Sequence, residues 1–127
     1  MGERLHVGKP TTLEAYADRS PYAAVFEDDG ESAYFYGLDT RLGTQPVLDA
    51  VHVYNVCALL DRQSLNEVEI RWSPDQQRVA LLLNGEPHAC FDFQKHRAYC
   101  RSNFPPSSSW SQGGHTWEDG AVDFLAG

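Results

Sequence analysis

RVALLLNGEPHACFDF, residues 78–93, is the stretch whose reading decides the fold. Asn84-Gly85 supplies the two positive φ angles of a tight hairpin turn, and the runs on either side are apolar and rich in strand formers. A two-residue loop would set Leu83 opposite Glu86, Leu81 opposite His88 and Val79 opposite Cys90. The preceding NEVEIRW, residues 66–72, alternates Val68, Ile70 and Trp72 with Glu67, Glu69 and Arg71, the signature of a half-buried strand. Closing it through SPDQQ would set Trp72 opposite Arg78 and Ile70 opposite Ala80. One face of this three-stranded unit then holds Val68, Ile70, Trp72, Ala80, Leu82, Ala89, Phe91 and Phe93 and reads as core. The other holds Glu67, Glu69, Arg71, Val79, Leu81, His88, Cys90 and Asp92.

A second hairpin is read in YAAVFEDDGESAYFYGL, residues 22–38, turning at Asp29-Gly30 with Val25 opposite Tyr34 and Ala24 opposite Phe35. Both of its faces are apolar, Tyr22, Ala24, Phe26, Ala33 and Phe35 on one and Ala23, Val25, Tyr34 and Tyr36 on the other, so cover is expected on both. TTLEAYADR, residues 11–19, reads as a helical turn that Pro21 ends. Residues 47–60 suit a helix by spacing, but the β-branched Val51, Val53 and Val56 favour a strand. QKHRAYC, residues 94–100, could make a helical turn or two, and AVDFLA, residues 121–126, a short edge strand. Between them lies an irregular stretch of the kind that is functional or disordered in a small domain, here with Phe104, Trp110 and Trp117 as anchors. The expected fold is mainly β: a single twisted antiparallel sheet or half-barrel built from hairpins, with one or two short helices, and α+β as the alternative if residues 47–60 are helical.

The 127 residues make one domain, 1–127, large enough to hold together without disulfide or metal. Eighteen acidic against ten basic residues give a formal charge of -8, which repels nucleic acid and favours a basic partner or simply solubility. No run of about 18 apolar residues exists to span a membrane, and Glu3 and Arg4 stand where an export signal would need apolar residues. Three cysteines without C-x-x-C spacing suit a reducing compartment, so a cytoplasmic protein is expected.

The segments LLLNGEPHACFDF, AYCRSNFPP, FEDDGESAYFYGLD and VLDAVHVYN together resemble a family of small uncharacterised bacterial proteins. That resemblance implies a bacterial source and a stand-alone domain. It carries no activity, cofactor or catalytic residue.

Chemistry is sparse. His88 and Cys90 on a strand with His96 and Cys100 at helical i, i+4 spacing could in principle meet at zinc, but H-x-C-x5-H-x3-C is not a usual ligand pattern, and neither metal nor cofactor is expected. His52, His88 and His115, with Asp92, Glu67 and Glu69, are the acid–base candidates, without a recognised array. PPSSSW lacks a G-x-S-x-G elbow, and EDDGE lacks the ligand spacing of a calcium loop. His88 is expected to be at least half buried among apolar neighbours, hydrogen-bonded within the protein and not metal-bound. The leading expectation is a non-catalytic protein-binding module that uses Tyr34, Tyr36, Trp110 and Trp117 toward a protein partner, perhaps a basic one, with homodimerisation as a variant. The alternative is a small-molecule or metal site, or a small enzyme, on the mixed face of Glu67, Glu69, Arg71, His88, Cys90 and Asp92. Should the C-terminal loop fold over the second hairpin, the aromatic residues would instead be internal packing.

Overall fold

A computed structural model describes residues 2–58, 65–106, 108–111 and 114–126. They form nine strands in two antiparallel sheets, not one. One sheet is ordered β2-β3-β4-β5, with β2 at Thr11–Tyr16, β3 at Tyr22–Asp28, β4 at Ser32–Asp39 and β5 at Val47–Asn55. The other is ordered β1-β6-β7-β8-β9, with β1 at Gly2–Arg4, β6 at Glu67–Trp72, β7 at Arg78–Leu83, β8 at Glu86–Asp92 and β9 at Arg97–Cys100. The two sheets share one core: Phe35 meets Phe91 at 5.2 Å between ring centroids, and Tyr22 stacks on Phe93 at 4.2 Å. A single sheet was the wrong expectation because each hairpin carries its own apolar face, and two such faces bury each other.

The registers decide which residues belong to that core. Trp72 pairs with Val79 and Ile70 with Leu81, so the β6–β7 loop is one residue shorter than SPDQQ and every β7 side chain changes face. Val79, Leu81 and Leu83 point into the core, while Ala80 and Leu82 point outward. Across the Asn84-Gly85 turn Leu83 does face Glu86. A bulge at His88 then shifts the ladder, so that Leu81 pairs with Ala89 and Ala80 with Cys90. The β3–β4 loop spans four residues, because Asp29 Oδ1 accepts from the amides of Glu31 and Ser32, and Val25 pairs with Tyr36. That shift of two residues leaves both faces as expected.

Other elements differ from the sequence reading. Residues 11–16 are strand β2, since Leu13 and Ala15 bury inward while Thr12, Glu14 and Tyr16 stay exposed. Residues 47–55 are strand and 56–58 a 3-10 turn, which removes the helix alternative there; positions 59 and 60 lie outside the described residues. Residues 97–100 are strand β9, and 119–126 form a kinked 3-10 segment in place of an edge strand. Val122, Phe124 and Leu125 of that segment pack over Ala80, Leu82, Cys90 and Tyr99, covering the outer side of the five-stranded sheet.

Gly37 faces the other sheet: a Cβ there would lie 2.9 Å from the Phe91 ring, which is fully buried. Gly37→Ala is expected to lower the unfolding free energy by about 1–3 kcal/mol, measured by urea denaturation, with Phe91→Leu in the same chain restoring part of the loss.

Candidate protein-binding face

The outer side of the four-stranded sheet is built by alternation with the inward core residues, with register shifts against β5 at Ala33/Tyr34 and Gly37/Leu38. Cross-strand pairs place Glu14, Val25, Tyr36 and Ala50 in one row and Thr12, Glu27, Tyr34 and His52 in the next. The 119–126 segment lies on the other sheet, and Tyr34, Tyr36, Val25 and His52 remain only half-buried. An aromatic row follows. Tyr36 stacks toward Tyr34 at 6.1 Å, Tyr34 meets the His52 ring edge-on at 5.3 Å, and His52 meets Phe104 at 5.6 Å. Phe104 is 55% exposed and Tyr16, at the far edge, 61%. No residue of β2, β3, β4 or β5 is lysine or arginine, and the carboxylates on the outer rows are Glu14 and Glu27. Glu27 accepts the Tyr36 hydroxyl at 2.9 Å; burial first and then Glu27 push that phenol up to about 12.

Trp110 and Trp117 lie elsewhere. Trp110 packs on Phe91 and Phe93 and stacks on His96 at 5.3 Å, so its half-buried ring closes the end of the core. Trp117 packs beside the 119–126 segment under the Arg101 guanidinium, 4.3 Å from its ring centroid. Phe104 and His52 complete the open row instead, brought there because the Phe104 carbonyl accepts the His52 amide at 2.9 Å, a contact between residues too distant in the chain for periodicity to reveal.

The mixed polar face is only partly open. Glu67, Glu69, Arg71, Cys90 and Asp92 do share the outer side of the five-stranded sheet, but Cys90 and Asp92 are buried and the Cys90 thiol contacts the Ala121 carbonyl at 3.5 Å. Burial pushes that thiol up to about 12, with Asp92 adding to the shift, which makes it a poor nucleophile. Arg71 is bound to Glu69 at 2.8 Å. What stays open is a surface cleft of about 380 Å³ between Arg4, Glu67, Glu69 and Leu82. His88, bulged out of the row, turns toward Val53; burial lowers its pKa, opposed by a hydrogen bond that the ring donates to the Val53 backbone, and its Nε2 meets no partner among the described residues.

The four residues considered for zinc are likewise separated. Cys100 pairs with Ala89 and faces the core, Cys90 pairs with Tyr99 and faces outward, and His96 lies exposed against Trp110. Two cysteines on opposite sides of one sheet cannot share an ion.

One polar cluster was only half visible. His115, fully buried, has Nε2 at 2.7 Å from Asp49 Oδ2 and Nδ1 against the Pro105 carbonyl. Asp49 also accepts from the Ser108 hydroxyl at 2.9 Å and from the Ala50 amide at 2.9 Å. A serine, a histidine and an aspartate thus lie together, but Ser108 donates to the aspartate and both imidazole nitrogens are taken, so no base reaches the hydroxyl. The cluster ties the C-terminal loop to β5. Asp49 sits 66 positions from His115 and neither belongs to a motif, which is why the pair could not be read from spacing.

The profile of a bacterial family described as "Uncharacterized protein conserved in bacteria (DUF2251)" matches residues 5–126, and the chain belongs to that family. An uncharacterised protein of Haemophilus influenzae is 43% identical over 106 residues, which cover 83% of this chain and 66% of that protein, so the chain spans just under two thirds of its relative. No solved structure matches. Among the described residues no helix is long and apolar enough to cross a membrane.

Proposed function

We propose that this member of the DUF2251 family is a non-catalytic protein-binding module whose outer four-stranded face receives a basic protein segment. The observation that carries the reading is the half-open row Tyr36, Tyr34, His52 and Phe104 on a sheet without a single lysine or arginine. Tyrosine rings bury a large area at low entropic cost, and carboxylates beside them attract positive charge. A second copy of the chain fits this face poorly, because Glu14 and Glu27 would approach their own counterparts with no basic residue between them. Three further observations weigh against an enzyme or metal site on the mixed face: the covered Cys90, the Arg71–Glu69 pair, and the absence among the described residues of any His, Cys, Asp and Glu group able to hold a metal.

The test compares wild type with Tyr34→Ala/Tyr36→Ala as baits in extract of the source bacterium, at about 50 and 200 mM salt. The expected result is a defined protein retained by wild type, weakened at the higher salt and lost with the double variant, whose melting temperature reports that it is folded. Identical retention by both baits would refute the reading.

A further inference from the structure

Three of the chain's arginines are bound in one recurring way. Arg41 lies 5.9 Å from the Tyr22 ring centroid and 2.7 Å from Asp39; Arg78 lies 4.9 Å from Phe124 and 2.8 Å from Asp123; Arg97 lies 4.9 Å from Tyr99 and 3.6 Å from Glu118. In each case a guanidinium covers an aromatic face and meets a carboxylate with its edge. Arg101 covers Trp117 and donates to the Pro87 carbonyl instead.

The outer face presents the same two partners, and among the described residues no arginine occupies them. Glu27 stands directly opposite Tyr34, and the paired rings of Tyr34 and Tyr36 lie 6.1 Å apart with planes 30° from parallel. The Tyr36 hydroxyl occupies Glu27 Oε1, which orients the carboxylate; Oε2 makes no hydrogen bond among the described residues. We infer that Tyr34, Tyr36 and Glu27 form a seat for an arginine side chain of the partner, the guanidinium stacked on the tyrosine pair and donating to Glu27. Arginine suits it better than lysine. A planar, weakly hydrated guanidinium stacks and donates at once, whereas a compact ammonium keeps its hydration and satisfies one contact at a time. Glu14, one strand over, adds attraction for a neighbouring positive charge.

This inference rests on the binding-module reading and is tested separately from it. The probes are three capped pentapeptides, Ser-Arg-Ser-Arg-Ser and its lysine and citrulline counterparts, titrated into the full chain while the ring signals of Tyr34 and Tyr36 are followed by NMR. The arginine peptide is expected to shift both rings and to bind about five-fold tighter than the lysine peptide, with citrulline weaker than either. Glu27→Gln should weaken the arginine peptide by roughly ten-fold. Tyr36→Phe keeps the ring and frees Glu27, so it should retain or strengthen binding, and it serves as the control if Glu27→Gln perturbs folding. Equal affinity for arginine and lysine peptides, shifts centred away from Tyr34 and Tyr36, or no shift at millimolar peptide would overturn the arginine seat. Should the seat fail while the extract partner is still lost with Tyr34→Ala/Tyr36→Ala, the module reading stands and its partner is anchored otherwise; failure of both removes both.

Discussion

His115→Leu should lower the unfolding free energy by about 3–5 kcal/mol, the scale for removing one member of a buried ion pair. The ring is fully buried, and its two nitrogens face a carboxylate and a carbonyl. Asp49 accepts hydrogen bonds from the Ser108 hydroxyl and the Ala50 amide as well. Both imidazole nitrogens therefore face acceptors, an arrangement that favours the imidazolium. Burial opposes that charge, but Asp49 and the Pro105 carbonyl outweigh it and hold the pKa above the ordinary histidine value. Leucine fills the volume and leaves Asp49 without its main partner in a site only 11% exposed.

The same geometry fixes the direction of a pH effect. A histidine whose folded pKa is raised contributes stability that is fully present below its unfolded value of about 6.5 and is lost as pH rises through the folded value. The stability difference between wild type and His115→Leu should therefore be largest below about pH 6 and shrink as the pH is raised past neutrality. Urea denaturation of both proteins across pH 5.5 to 9 measures it; a difference that grows with pH would show that His115 is kept neutral in the fold, and a constant one that folding leaves its pKa unchanged. Trp110, on the same loop, reports its release by fluorescence.

Gly114→Ala is expected to cost about 3 kcal/mol or more, because two independent penalties coincide. Its φ is +82°, a region where a Cβ is strained, and the added carbon would lie 2.5 Å from the Pro106 carbonyl oxygen, a backbone atom that cannot rotate away. The residue precedes His115, so the displacement that relieves the clash also moves the imidazole off Asp49. Gly85→Ala is the control: φ is +80° there too, but nothing lies within 4 Å of the added carbon. Its loss should stay near 1 kcal/mol, the cost of the dihedral alone. Thermal melts of the two variants separate strain from collision, and equal losses would show that the Pro106 contact relaxes freely.

How much was legible depended on the parity of each register error. In the 22–38 hairpin the loop is two residues longer than Asp29-Gly30 alone implies, and Tyr34 and Tyr36 still emerge on the side opposite Phe35. Between β6 and β7 the error was one residue, and it exchanged Val79 and Leu81 for Ala80 and Leu82 in the core. Both faces of β7 are apolar, so the side-chain pattern carries no information about which one turns inward. The bulge at His88 was hidden for the same reason.

The sequence by itself determined what is local: a mainly β chain with hairpins at 22–38 and 78–93, a strand at 67–72, an acidic surface, and tyrosines alternating with the core residues of β4. Hydrophobic period and turn chemistry act over a few residues, and they suffice for these features. Tertiary structure alone decided that the hairpins face each other as two sheets, that residues 119–126 cover Cys90, and that Phe104 joins Tyr34, Tyr36 and His52 in the open. It also decided that Asp49 meets His115. Each of these is a pairing between segments distant in the chain, selected by which apolar faces can bury one another and by which buried donors and acceptors must be satisfied, and neither condition leaves a periodic trace in either partner alone.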